Sequence, residues 1–469
     1  MSDTSRRKFL EKLIMGSAAI GTSGLWSGFK SSRSSNPPDR PNIILFISDD
    51  HAKMDAGCYG NEAVRTPNID RLAGEGMRFE RAFTVTPTCV PSRASTYSGL
   101  GPFRHGAHEN HSTARPDLKT LPHYFNELGY QTILAGKTHI RPTKAYPFDR
   151  YIDTKGDWNA TIVKEGSEVV RFLQEEASDA RPFCLVIATN DPHVPWSDDH
   201  DYDPADVKLH PFLLDTPETR QAMANYYNDV TKMDRELGRT LDVLDRSGLS
   251  ENTLFVYTSD HGPQFPHAKW ELYDYGINVP FIVRWPGKVK PGSVTRAMIS
   301  SVDTLPTLME AAGGSAPDDI DGESFLPVLT GEAQQHRSEI YATHTRDTMM
   351  NYFPIRAVRT ENYKYIWNLA PERAYTTHLT NERNFIKNGG GHLWDSWMKL
   401  ANEDPRARER VAFFQHRPEV ELYNVQRDPS ELNNLAGDNG MQPVKNKLAG
   451  KLKQWMKQQG DEGRDEWDY

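Results

Sequence analysis

Four short apolar runs along the chain each end in a cluster of polar, chemically capable residues. Asn42–Ser48 (NIILFIS) runs into Asp49-Asp50-His51, and Thr132–Ala135 runs into Gly136-Lys137-Thr138-His139. Phe183–Ala188 (FCLVIA) leads to Asn190-Asp191-Pro192-His193, and Leu254–Thr258 (LFVYT) leads to Ser259-Asp260-His261-Gly262. Runs of this length, apolar on both faces, suit parallel strands covered by helices on both sides. Amphipathic stretches supply the covers: Leu118–Leu128, and a long one over Thr219–Ser247 with Met223, Tyr226, Tyr227, Val230, Met233, Leu237, Leu241 and Leu244 at helical spacing. The alternating order predicts an α/β fold with a doubly wound, mostly parallel sheet, whose ligand site lies beyond the carboxyl ends of the strands. Asp and His at strand ends also serve as helix caps and turn residues. Delivery of such groups by four strands to one edge points to a single site.

The length of 469 residues exceeds what one hydrophobic core usually organises, so a large domain with a smaller companion is expected. Hydrophobic residues at 37% and charged residues at 25% suit a soluble globular enzyme. The net charge of −9, with no Lys/Arg-rich stripe, leaves no nucleic-acid partner. An anionic substrate stays open, because a local group of cations reverses the potential inside a cleft. Three cysteines, Cys58, Cys89 and Cys184, are too few for a disulfide framework. Cys184, inside an apolar run, and Cys58, in a Gly-rich turn, read as small packed hydrophobes.

At the N-terminus, Ser5-Arg6-Arg7-Lys8-Phe9-Leu10 precedes a weakly apolar stretch from Leu13 to Trp26. The pattern is similar to a twin-arginine export signal, addressed to the twin-arginine export machinery. It predicts an exported protein, periplasmic or extracellular. No other stretch approaches about 18 uninterrupted apolar residues, so the processed chain is not expected to be an integral membrane protein. Residues 1–39 therefore read as signal and linker, 40–337 as a catalytic domain and 338–469 as a C-terminal subdomain.

Asp49-Asp50 carries its own chemical argument. Two adjacent carboxylates leaving a buried strand repel by about 4 kcal/mol at about 4 Å and an effective dielectric near 20. A divalent cation removes that cost, and oxygen ligands favour Ca²⁺ or Mg²⁺ over Zn²⁺. Between the first two runs lies Thr88-Cys89-Val90-Pro91-Ser92-Arg93-Ala94-Ser95-Thr96-Tyr97-Ser98-Gly99. Pro91 and Ser92 open a helix, which puts Cys89 at its N-terminus near Arg93, a setting that binds anions and activates a thiol.

Cys-x-Pro-Ser-Arg followed after four residues by Ser-Gly resembles the signature of the type I, formylglycine-dependent sulfatases of the alkaline phosphatase superfamily. Gly136-Lys137-x-His139, Pro192-His193-x-Pro195, Asp260-His261 and Lys269 resemble further elements of that family. So does Glu421-Leu422-Tyr423-Asn424 with Asp428-Pro429-Ser430-Glu431. The likeness runs from about residue 40 to about residue 440 and is nearest to the heparan N-sulfatase (sulfamidase) branch. It implies Ca²⁺, with Mg²⁺ as the alternative, held by Asp49, Asp50, Asp260, His261 and residue 89. It implies conversion of Cys89 to Cα-formylglycine by a formylglycine-generating maturation enzyme, and catalytic roles for Arg93, Lys137, His139, His193 and Lys269. The hydrated aldehyde attacks sulfur with one hydroxyl and expels sulfate with the other, with His193 or Lys269 as acid and His139 as base. His261 stands where the family usually has Asn, so it either ligates the cation or hydrogen-bonds beside it.

The implied substrate is a sulfated carbohydrate, cut at an O-sulfate ester or an N-sulfamate. The alternatives are a phosphonate monoester or phosphodiester hydrolase of the same superfamily, and a non-catalytic sulfated-glycan binder. Farther on, Ile355–Thr360 and Tyr363–Trp367 predict a hairpin turning at Glu361-Asn362, and the resemblance places a small antiparallel sheet with a terminal helix there. His344, Arg346, His392, Trp394 and Trp397 are candidates for lining the cleft, with core packing favoured for each Trp. His105, His108 and His111 are candidates for substrate contact, and Asp461–Tyr469 is an acidic tail.

Overall fold

The computed structural model describes residues 40–152, 160–177, 181–347, 351–380 and 391–463. The export segment and linker at residues 1–39, and the acidic tail beyond residue 463, lie outside them.

Eight strands form the main sheet: β1 (Asn42–Ser48), β2 (Met77–Phe83), β3 (Gln131–Gly136), β4 (Arg150–Ile152), β5 (Phe183–Ala188), β6 (Thr253–Ser259), β7 (Phe281–Arg284) and β8 (Ser293–Ser300). Their order is β4-β3-β5-β1-β6-β7-β2-β8, and β7 is the one strand of this sheet that runs against the others. The four predicted strands are neighbours at its centre, as β3-β5-β1-β6. Alternate residues of β1 serve opposite faces. Ile44 and Phe46 pack with the long helix Pro217–Arg246, while Ile43, Leu45 and Ile47 pack with Val90, Leu121 and Phe125. Both faces are covered, which is why these strands read as unbroken apolar runs.

The long helix starts where Thr216 caps it by accepting from the Thr219 N–H, with Pro217 in the first turn. The eight apolar positions picked out by helical spacing are all buried. The shorter predicted helix forms at Leu121–Glu127, behind Thr120. Cys184 is buried in the core, as its apolar setting predicts, and Cys58 is half-buried.

A second, antiparallel sheet has the order β12-β11-β10-β9, with β9 Glu339–Asp347, β10 Asn351–Thr360, β11 Tyr363–Asn368 and β12 Val420–Asn424. The predicted hairpin pairs Arg359 with Lys364 across Glu361-Asn362. One face packs Val358, Tyr365 and Leu422 on the helix Gln442–Gln459, and the other joins Ile355, Ala357 and Ile366 to the main core. Both sheets belong to one compact unit, Pro38–Tyr469. Among the described residues no helix is long and apolar enough to cross a membrane.

Candidate active site

The four central strands end level with one another. Ser48 of β1 pairs with Ser259 of β6, Ile47 with Ala188 of β5, and Ala188 with Gly136 of β3. The backbone continues the register past the strands: Asp260 N–H donates to Ser48 O (3.2 Å), Asp49 N–H to Asp191 O (3.2 Å) and Lys137 N–H to Ala188 O (2.8 Å). Gly136 has φ +90°, and a Cβ there would lie 2.3 Å from Ala188 O. Only glycine turns the chain here to aim Lys137 inward.

Cys89 occupies the first position of the helix Cys89–Ser98, behind Thr88. The helix thus begins two residues before the expected Pro91-Ser92, because Pro91 falls in the first turn, where its missing N–H costs nothing. Cys89 Sγ lies 3.3 Å from His261 Nε2 and is almost wholly buried. Burial pushes this thiol up, yet Lys137, Lys269 and His261, with a hydrogen bond from His139, bring it well below the usual range. An anion at this position is stabilised.

Beneath Cys89 lies a closed set of ion pairs. Arg93 donates from Nε to Asp260 Oδ2 (3.1 Å) and from Nη2 to Asp49 Oδ1 (3.1 Å). Lys137 pairs with Asp49, and Lys269 with both oxygens of Asp50 (2.8 and 3.1 Å). The Asp50 N–H donates to Asp260 Oδ1 (3.1 Å), an arrangement made with Asp50 at φ +69°. Burial raises Asp49, but Lys137, His193 and Arg93 hold it well below the usual carboxylate range. Asp260 goes the other way, to about 7, because burial, Asp49 and Cys89 outweigh His261 and Arg93. Burial lowers His261, yet Asp260, Asp50 and Cys89 carry it up to about 9.

Burial does most of the raising at Asp260, and Asp49 and Cys89 add crowded negative charge, which a divalent cation relieves. The donors fit one: Asp50, Cys89 and His261 form one triad, Asp49, Cys89 and Asp260 another, each with its ligand atoms within 4.8 Å of one another. His261 Nδ1 donates to the Gly262 carbonyl (2.9 Å), which leaves Nε2 to face Asp50 Oδ1 at 3.4 Å. Oxygen donors predominate, as a hard cation requires.

Above this floor opens a cleft of about 480 Å³. Cys89, Lys137, His139, His193 and Lys269 line it, whereas Arg93 lies below with its guanidinium engaged by carboxylates. His193 has Nδ1 on the Val194 carbonyl and Nε2 3.9 Å from Asp50. His139 Nε2 meets His111 Nδ1 at 3.0 Å, and the ring also hydrogen-bonds Cys89.

Of the other histidines, His111 reaches the cleft, His105 is buried against Ser95 (3.0 Å) and His108 stacks on Phe103. The aromatic candidates do not reach it. Trp394 and Trp397 are buried in the core, with Trp397 Nε1 on Thr219 (2.9 Å); His344 bonds Asn351 and Arg346 bonds Glu109. His392 is exposed on the helix Gly391–Glu403. In their place the wall is built by Asn110, Gln264, Trp270, Asp347 and His378, which the motifs did not single out. For Trp270 a signal existed, since it directly follows Lys269. Asp347 and Asn110 are distant in sequence, and nothing local marks them.

A family model described as Sulfatase matches residues 41–315, and one described as N-sulphoglucosamine sulphohydrolase, C-terminal, matches residues 265–379. An ulvan-active sulfatase of Formosa agariphila is 34% identical over 445 residues, covering 92% of this chain and 82% of its own length. Human N-sulphoglucosamine sulphohydrolase is 28% identical over 470 residues, covering 89% of this chain and 90% of its own. A solved structure in complex with its substrate, D-glucosamine-2-N,6-O-disulfate, is alike in fold, with a TM-score of 0.68 at 22% identity over 92% of this chain and 100% of that one.

Proposed function

The chain belongs to the sulfatase family, and from that premise we propose that it releases sulfate from a sulfated carbohydrate, with Cys89 converted to Cα-formylglycine. The observation that carries this reading is Cys89 itself: it sits at the start of a buried helix, shared by two ligand triads and faced by two lysines. A nucleophile set there meets sulfur with cations already in place.

The hydrated aldehyde supplies two hydroxyls on one carbon, one to attack sulfur and one to expel sulfate. Asp49, Asp50, Asp260, His261 and the oxygen of residue 89 would hold Ca²⁺ or Mg²⁺, which would supply positive charge for the transferring group. Lys137 and Lys269 hold the sulfate oxygens from the cleft side. Arg93 keeps Asp49 and Asp260 aligned. His193 presents Nε2 to the departing oxygen or nitrogen as acid. His139, beside residue 89, serves the second hydroxyl as base.

The sugar is read from relatives. The ulvan-active and N-sulphoglucosamine enzymes are named for polysaccharide and amino-sugar sulfates, and each is similar over most of this chain. The reading covers both an O-sulfate ester and an N-sulfamate. The Arg6-Arg7 segment carries the protein through the twin-arginine machinery to the periplasm or beyond, after a maturation enzyme has acted on Cys89.

The test pairs intact mass with turnover. Co-expression with a formylglycine-generating enzyme is expected to replace the residue 89 thiol by an aldehyde and to yield sulfate release that a chelator stops and Ca²⁺ restores. Cys89→Ala is expected to abolish it. Faster cleavage of phosphodiesters than of 4-nitrophenyl sulfate would overturn the reading in favour of a phosphohydrolase. Tight sulfated-glycan binding by an unmodified, inactive protein would overturn it in favour of a binder.

A further inference from the structure

Asp347, the last residue of β9, lines the cleft yet takes no part in the ion pairs of its floor. Only 2% of it is exposed. Its Oδ2 is fully engaged, accepting from Asn110 Nδ2 (2.9 Å) and Trp270 Nε1 (2.7 Å). Its Oδ1 is buried with no hydrogen-bond partner, and the His111 ring nitrogen Nε2 stands off at 3.5 Å. A buried carboxylate oxygen without a donor is costly, and such atoms in native structures usually await a ligand or water.

The position of this oxygen is tied to the reacting centre from two sides. Asn110 accepts from the N–H of Val90, the residue after Cys89 (3.3 Å), so its amide can present only Nδ2 to Asp347. The Asn110 N–H also donates to Arg346 O (3.2 Å), locking the loop after the Cys89 helix to the end of β9. Trp270 follows Lys269 and is held at φ +70° with its N–H on Pro87 O (3.1 Å). The small sheet thus inserts one acceptor at a set place beside the sulfate pocket.

We propose that Asp347 is a specificity-determining residue that receives a donor on the sugar, a hydroxyl or an ammonium, next to the sulfate being removed. The proposal rests on the sulfatase reading above. A carboxylate in that place accepts hydrogen bonds and repels anions. It therefore also turns away sugars that carry a second sulfate or a carboxylate at the neighbouring position.

Asp347→Asn tests this with little disturbance, because the amide oxygen can still accept from Asn110 and Trp270 while its NH₂ replaces Oδ1. The readout is kcat/KM on the best-cleaved member of a panel of singly sulfated monosaccharides, N-sulfoglucosamine included, divided by kcat/KM on 4-nitrophenyl sulfate, which has no sugar hydroxyl. That ratio does not depend on how much of the variant is folded. It is expected to fall about 10- to 100-fold, mainly through KM, and the disulfated sugar is expected to gain on the singly sulfated one. An unchanged ratio with active wild type, whether both rates hold or fall together, overturns this inference alone. Wild type that cleaves 4-nitrophenyl sulfate and no saccharide overturns the carbohydrate reading and this inference with it.

Discussion

The floor and the wall of the cleft are built on opposite plans. On the floor, Asp49, Asp50 and Asp260 each meet Arg93, Lys137 or Lys269 in an ion pair, all of them buried, with the three carboxylates and Lys137 set by strand ends of the main sheet. On the wall, Asp347 Oδ1 and His378 Nδ1 are buried without hydrogen-bond partners, and the side chains come from loops and the edge of the second sheet. The floor has made its bonds before any substrate arrives, whereas the wall keeps some unmade. Preorganisation suits the part of a substrate that never changes, and unmade bonds suit the part that distinguishes one substrate from another.

Three perturbations break or sharpen that contrast. Arg93→Leu leaves Asp49 and Asp260 buried without their shared guanidinium, and about 3–5 kcal/mol of stability should be lost; denaturant unfolding measures it. A loss near zero would mean that the floor is not held together by its ion pairs. Lys137→Ala should lower kcat by about 10²- to 10³-fold, equally for aryl and sugar sulfates, since a floor residue is blind to the sugar. A substrate-dependent loss would erase the division between the regions.

The smallest effect concerns the support under the Cys89 helix. His105 accepts the Ala107 N–H at Nδ1 and donates from Nε2 to Ser95, so it is held neutral. Burial, with help from His108, takes it from 6.5 down to about 3. A depressed folded value means that the unfolded chain takes the proton first. Stability is full above pH 6.5 and falls by up to about 1.4 kcal/mol for each pH unit below it, towards pH 3. Melting curves from pH 7 to pH 4 should show a flatter decline for His105→Asn than for wild type.

The same contrast separates what was legible in the sequence from what was not. The runs that became β1, β3, β5 and β6 were readable because both faces are covered, so burial is written at every position. The alternating Met77–Phe83 and the four-residue Phe281–Arg284 carry no such run, and β2 and β7 went unread. Asp49, Asp50, Lys137 and Asp260 follow their strands directly and could be listed from motifs, whereas Arg93 comes from the Cys89 helix and Lys269 from the loop after β6. The wall was hidden because Asn110 and Asp347 meet only when the second sheet docks, and no local periodicity encodes docking. Trp394 and Trp397 lie on one face of an amphipathic helix, and that face is spent on the core, the packing favoured for each of them from the sequence.

The burial of Cys89 also sets a clock. A cleft of about 480 Å³ admits a sugar but not the active site of another enzyme. Any enzyme that alters this side chain must therefore reach it before the sheet closes. His261, which covers it in the folded state, is synthesised 172 residues later, an interval of roughly 10–30 s at ordinary elongation rates. During that interval His261 is not yet there to cover residue 89.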